Sequence, residues 1–251
     1  MERIRPYLAG ATLAGAAVLC LAATAAASGW AVVASYPAPA PNARGVAFNA
    51  PYGLSVLCDG SPPRVYNVFR PSEYVALAVP TGARGLTRWR EWGDDLVVSN
   101  YNTSYIYRLT TTGSLISSFR CPRDHPADLS GGIYDKYVAV PGENLALEIT
   151  TTGSVVSSFK GPGTRLTGIQ SDGGRVVVGD PQTHKVYFLG WGSANVTSPV
   201  AVEASIGTGG PPPYALIMVV DAATNYIYYF DWVGPEPVTP ASLGRVRALY
   251  E

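Results

Sequence analysis

Four arginines occupy positions where charge could be put to use. Arg44 and Arg84 each stand directly before a glycine, at Gly45 and Gly85; Arg165 lies three residues before Gly168, and Arg123 sits in a polar stretch beginning Cys121-Pro122. A guanidinium is planar, always charged and carries five N–H donors, so two or more that converge would hold a carboxylate or sulfate by paired hydrogen bonds. The competing reading pairs these arginines with Asp59, Asp180 and Asp221, which end strands on the same face and would only neutralise them. Two indoles in Arg88-Trp89-Arg90-Glu91-Trp92 are a second candidate. Large amphipathic rings make good ligand platforms, and they serve equally well as packing.

Catalytic signatures are sparse. His125 and His184 lie in different loops with no Cys or His at ligand spacing, so the sequence offers no zinc site and no cofactor is expected. There is no Gly-x-Ser-x-Gly elbow and no phosphate-binding glycine loop after a strand. A hydrolase or cyclase would have to recruit carboxylates such as Glu91, Asp94, Asp95, Asp135 and Asp172, which are explained more simply as solvated turn residues. Lys plus Arg and Asp plus Glu are 18 each, and no basic run would neutralise a phosphate backbone, which excludes nucleic acid as a partner. Asn102-Thr103-Ser104 and Asn195-Val196-Thr197 match the glycosylation acceptor pattern, which chance also produces in a chain this rich in Ser and Thr.

The elements that must position these residues are set by a repeat. Thr110-Thr111-Thr112-Gly113-Ser114-Leu115-Ile116-Ser117-Ser118-Phe119 returns 40 residues later as Thr150-Thr151-Thr152-Gly153-Ser154-Val155-Val156-Ser157-Ser158-Phe159. A branched-aliphatic and Tyr pair precedes it at Val65-Tyr66, Ile106-Tyr107, Val186-Tyr187 and Ile227-Tyr228, with Ala146-Leu147 between. Four short apolar runs per period of about 40 residues predict a four-stranded blade that must stack on its neighbours, the β-propeller pattern. The best-preserved copy predicts an inner strand A over Gly85–Arg90, B over Asp95–Ser99, C over Tyr105–Thr110 and an outer strand D over Leu115–Phe119. The turns between B and C repeat Asn100/Thr103, Asp180/Thr183 and Asp221/Thr224; a side-chain oxygen there can fix a tight turn by accepting backbone N–H groups.

The chain ends set the blade count. Val32-Val33-Ala34-Ser35-Tyr36 aligns with Val155-Val156-Ser157-Ser158-Phe159, while no D segment follows the last C strand, Tyr226–Asp231. The expected fold is therefore all-β, a five-bladed β-propeller closed by an N-terminal outer strand.

The Thr-Thr-Gly-Ser…Ser-Ser-Phe units, with their Asp/Asn-x-x-Thr-x-x-Ile-Tyr turns, resemble the secreted bacterial propeller repeats related to the NHL and YncE-like groups. That resemblance implies fold rather than activity. Residues 1–27, with Arg3 and Arg5 ahead of an uncharged Ala/Leu stretch and Ala25-Ala26-Ala27, read as a signal peptide, with the propeller over 28–235 and a tail over 236–251. Cys58 and Cys121 would pair as a disulfide or serve as buried hydrophobes. The functional expectation is a secreted, periplasmic or cell-surface binding or scaffold propeller, with no stable membrane span after cleavage. It would take a glycan, peptide or protein ligand, with an anion at the channel mouth. The alternative is a secreted hydrolase or glutaminyl-cyclase-like enzyme using mouth carboxylates.

Overall fold

The structure, a computed structural model, describes residues 29–50, 53–131, 135–172, 175–189, 195–197, 206–209 and 216–233. The expected signal peptide and the 236–251 tail lie outside these residues. Strand β1 (Gly29–Pro37) is followed by a first blade of β2 (Ala43–Ala50), β3 (Gly53–Cys58), β4 (Arg64–Asn67) and β5 (Tyr74–Ala76). The second blade holds β6 (Ala83–Thr87), β7 (Leu96–Asn100), β8 (Tyr105–Leu109) and β9 (Leu115–Arg120). The third holds β10 (Asp128–Leu129), β11 (Tyr137–Val140), β12 (Leu145–Ile149) and β13 (Val155–Lys160). The fourth holds β14 (Gly168–Asp172), β15 (Arg175–Asp180), β16 (Lys185–Leu189) and β17 (Asn195–Thr197). In the fifth, β18 (Ile206–Gly209), β19 (Leu216–Asp221) and β20 (Tyr226–Val233) are completed by β1, which runs antiparallel to β20 from Gly29 opposite Val233 to Pro37 opposite Tyr226.

The inner strands touch one another all the way round: β2 with β6, β6 with β10, β10 with β14, β14 with β18, and β18 with β2. The chain is thus a five-bladed β-propeller closed by its N-terminal strand, as the repeat predicts.

The core lies between blades, and this explains why strands such as Leu96-Val97-Val98 are apolar without alternation. Leu96 and Val98 pack toward Leu57 and Val65 of the first blade, while Val97 faces Val138 and Leu147 of the third. Both faces of each sheet are buried, so both parities must be apolar. The C-to-D hairpins use their glycines as expected: Gly113 and Gly153 have φ of 85° and 86°, and their N–H groups donate to Thr110 and Thr150 carbonyls at 2.9 and 3.0 Å.

One local expectation differs. The second inner strand ends at Thr87 rather than Arg90, and a 3-10 turn follows over Arg90–Trp92. The fully buried Trp89 indole donates to the Ser130 carbonyl oxygen of the next blade at 3.3 Å, so the chain leaves the sheet to fill the inter-blade gap. Cys58 and Cys121 are free and lie in different inter-blade clusters, the first with Met218 and Val220, the second with Trp89 and Leu129. Burial pushes the thiol of Cys58 up to about 12 and that of Cys121 up to about 11, so both stay protonated and act as small apolar groups.

Candidate functional site

One end of the channel is built by the B-to-C turns and the links that carry the chain from each D strand to the next A strand. The turns of the second, fourth and fifth blades are held by their first side chain. Asn100 Oδ1 accepts the Asn102 and Thr103 N–H groups, both at 3.0 Å, and Asp180 Oδ1 accepts those of Gln182 and Thr183 at 2.8 and 3.2 Å. The turns end on a left-handed residue, at Ser104, Asn144, His184 and Asn225, with φ between 50° and 60°.

The same turns fasten the links. Asp59 Oδ1 accepts the Gly82 and Ala83 N–H groups at 2.9 and 3.3 Å, Asn144 Oδ1 accepts that of Leu166 at 3.0 Å, and Asn225 Oδ1 accepts that of Ala43 at 3.0 Å. Asp180 Oδ2 takes the N–H groups of Thr164 and Arg165. Burial alone would raise the Asp180 carboxyl, but these backbone donors outweigh it and hold the group below its ordinary value. The carboxylates that might have met the arginines are engaged with backbone instead.

Three of the four arginines stand on the strands and link at this end, and Arg44 and Arg165 both act electrostatically on Arg84. Gly45 sets the approach of the first two, because a Cβ at that position would stand 2.5 Å from the Arg84 carbonyl oxygen and 3.0 Å from Leu86. With no side chain at Gly45, β2 and β6 close up and bring Arg44 and Arg84 onto neighbouring strands of the mouth. The half-buried Arg84 guanidinium lies 4.1 Å above the Tyr101 ring. Its pKa is lowered, by desolvation first and then by the charge of Arg44; Arg165 pushes the same way, and Tyr101 and Asp59 oppose. An arginine remains charged regardless. The guanidinium is thus a partly desolvated cation with like charges among its neighbours. Among the described residues none of Arg44, Arg84 and Arg165 forms a salt bridge.

Tyr101 is itself anchored. The His125 ring stacks against it with centroids 4.6 Å apart, and His125 Nδ1 lies 2.8 Å from the Tyr101 carbonyl oxygen. His125 holds φ of 59°, and its backbone N–H donates to Ser104 Oγ at 3.1 Å. Sequence reasoning missed Tyr101 and treated His125 as a loop residue. Alignment of the repeats carried a signal for the former: the residue after the turn-opening Asp or Asn is Gly60, Tyr101, Pro181 or Ala222, and only the second blade places an aromatic there.

The other expected residues lie elsewhere. Arg123 is exposed and its Nε meets Glu143 Oε2 at 3.3 Å. Trp89 and Trp92 sit at the opposite end, among the A-to-B connections, with ring centroids 4.7 Å apart. Trp89 has no exposed surface, and Trp92 is capped by the Arg108 guanidinium 4.8 Å above its ring. Of the carboxylates considered for catalysis, Asp94 pairs with Arg88, Asp95 with Arg108, and Glu91 with the buried Lys136, while the Asp172 side chain is outside the description. Among the described residues no group of three or more His, Cys, Asp or Glu could hold a metal ion.

No protein-family profile matches this chain, and no curated protein matches it by sequence. Solved structures do. Glutaminyl cyclase from Myxococcus xanthus superposes with a TM-score of 0.62 at 11% identity, over 82% of this chain and 98% of that one. A streptogramin B lyase gives 0.49 at 16% identity over 79% and 68%, and virginiamycin B lyase from Staphylococcus aureus gives 0.46 at 15% over 79% and 69%. At 11% identity the first likeness is one of fold, and it agrees with the five-bladed ring. Among the described residues no helix is long and apolar enough to cross a membrane.

Proposed function

We propose that the chain is an exported binding propeller that takes an anionic ligand at the channel mouth, with Arg44, Arg84 and Arg165 as the recognising groups. The observation that carries this reading is Arg84: half-buried over Tyr101, repelled by two further arginines and without a salt bridge among the described residues. A guanidinium in that state gains from a desolvated oxyanion what it has lost from water. The leader-like residues 1–27 and the likeness of the repeats to secreted NHL and YncE-like propellers support a place outside the cytoplasm, where acidic glycans and peptide carboxylates are available.

A binding role fits the described side chains better than hydrolysis or cyclisation, because Asp94, Asp95 and Glu91 are already paired with cations away from the mouth. The test is Arg44→Ala combined with Arg84→Ala in the mature protein, titrated by calorimetry against acidic glycans and carboxylate-terminated peptides. Binding should be salt-sensitive in the parent and lost in the double variant, while the melting temperature holds. A parent that binds no anion, or a double variant that binds as well as the parent, overturns the reading.

A further inference from the structure

The arrangement of the three arginines narrows the ligand. This step rests on the anion-binding reading above and adds the class of anion. The guanidinium groups come from three blades: Arg44 from β2 of the first, Arg84 from β6 of the second, and Arg165 from the link into β14 of the fourth. The chain positions that carry them therefore stand on separate blades around one mouth, and Arg44 and Arg165 both act electrostatically on Arg84. A carboxylate has two oxygens in one plane and is saturated by one or two guanidinium forks, whereas a terminal phosphate offers three oxygens directed tetrahedrally.

Two further observations agree. The Arg84 guanidinium carbon sits 4.1 Å from the centroid of the Tyr101 ring, which His125 holds through its own ring and its Nδ1 contact, an arrangement that favours one orientation of the fork. Of the charges acting on Arg84, Arg44 and Arg165 are positive and Asp59 is negative; with Arg84 itself, three positive against one negative leave an excess of two. The Asp59 carboxylate shares its lone pairs with the Gly82 and Ala83 N–H groups, to which Oδ1 is bound at 2.9 and 3.3 Å.

We propose that the channel mouth selects a phosphomonoester dianion over planar carboxylates and over singly charged oxyanions. Calorimetric titration of the mature protein at fixed ionic strength with methyl phosphate, inorganic sulfate, methyl sulfate, acetate and malonate separates shape from charge. Methyl phosphate and inorganic sulfate, both tetrahedral and doubly charged, should bind at least about tenfold more tightly than methyl sulfate or acetate, the loss expected for one charge-assisted contact. Malonate, doubly charged but planar at each end, should fall with the weak group.

Arg165→Ala should weaken methyl phosphate by about tenfold or more, with Arg165→Lys intermediate because it keeps the charge without the fork. The phosphate proton supplies a second readout. As pH falls through about 6 the ester becomes a monoanion, so the ratio of methyl phosphate to sulfate affinity should fall, while any change in the protein affects both ligands. Glucose 6-phosphate and O-phosphoserine then identify the carrier: binding of either supports the proposal, and the tighter one names the source.

Acetate or malonate binding as tightly as methyl phosphate, through the same Arg44 and Arg84, overturns the proposal and leaves anion binding in place. Failure of every anion overturns both. An Arg165→Ala protein that melts normally and binds methyl phosphate unchanged also overturns the proposal, because the third direction would then be unused.

Discussion

Deleting Gly29–Pro37 strips the fifth blade of its outer strand, and the ladder it removes can be sized. Eight register positions join β1 to β20, from Gly29 opposite Val233 to Pro37 opposite Tyr226. An antiparallel ladder forms about one backbone hydrogen bond per residue pair, each contributing about 0.5–1.5 kcal/mol net, so the loss comes to roughly 4–12 kcal/mol. Tyr36 adds edge-on contacts with Tyr229 and Phe69, at centroid distances of 5.4 and 6.4 Å, and the second of these ties the closing strand to the first blade. Domains of ordinary stability have about 5–15 kcal/mol in all. The deletion should therefore unfold the ring rather than loosen one blade. Urea denaturation followed by far-ultraviolet circular dichroism, comparing residues 28–251 with 38–251, measures this directly. A synthetic Gly29–Pro37 peptide added in excess should restore part of the lost transition. An unchanged urea midpoint would refute the reasoning and assign closure to the C-terminal tail.

Asp180→Asn keeps Oδ1 for the turn but puts a donor where Oδ2 accepts the Thr164 and Arg165 N–H groups and removes the charge, and should cost roughly 1–3 kcal/mol at neutral pH. Because the folded carboxyl is held below its unfolded value of about 3.9, its contribution is complete above that value and disappears as pH falls through the folded one. Acid denaturation should accordingly be less steep in the variant, and equal slopes would mean that the charge contributes nothing. Trp89→Ala should lower stability by about 3–5 kcal/mol, the cost of emptying a fully buried indole site, without changing anion affinity in the folded protein. Loss of binding alone, at full stability, would move the ligand site to the other face.

The repeat made the ring legible because every blade solves the same packing problem. A sheet buried on both faces needs apolar residues at both parities, so Leu96-Val97-Val98 and Val176-Val177-Val178 show themselves by composition, and Gly113 and Gly153 by the hairpins that need positive φ. Even the N-terminal closure could be inferred, from a D-like segment with no blade before it and a C strand with no D after it. What could not be inferred was where the second inner strand stops. The sequence Leu86-Thr87-Arg88-Trp89-Arg90 alternates acceptably as a strand, and only the depth of the gap between the second and third blades decides that Trp89 fills it.

The mouth was legible in residue type and obscure in partnership, for a related physical reason. Asp59 and Asp180 look like ready partners for nearby arginines when only charges are counted. In the folded chain a link crossing from one blade to the next carries backbone N–H groups that strand pairing does not satisfy, and these claim the carboxylates. That claim leaves the arginines available. Features repeated from blade to blade thus describe structure, while the proposed site is built on departures from the repeat. Arg stands before the inner-strand glycine in the first and second blades, where Ala127 and Thr167 hold the corresponding places in the third and fourth. Tyr101 interrupts a turn position otherwise occupied by Gly60, Pro181 and Ala222, and the stack it forms with Arg84 and His125 has no counterpart among the described turns. The five blades share one plan, and the proposed anion site rests on the departures from it at Arg44, Arg84 and Tyr101.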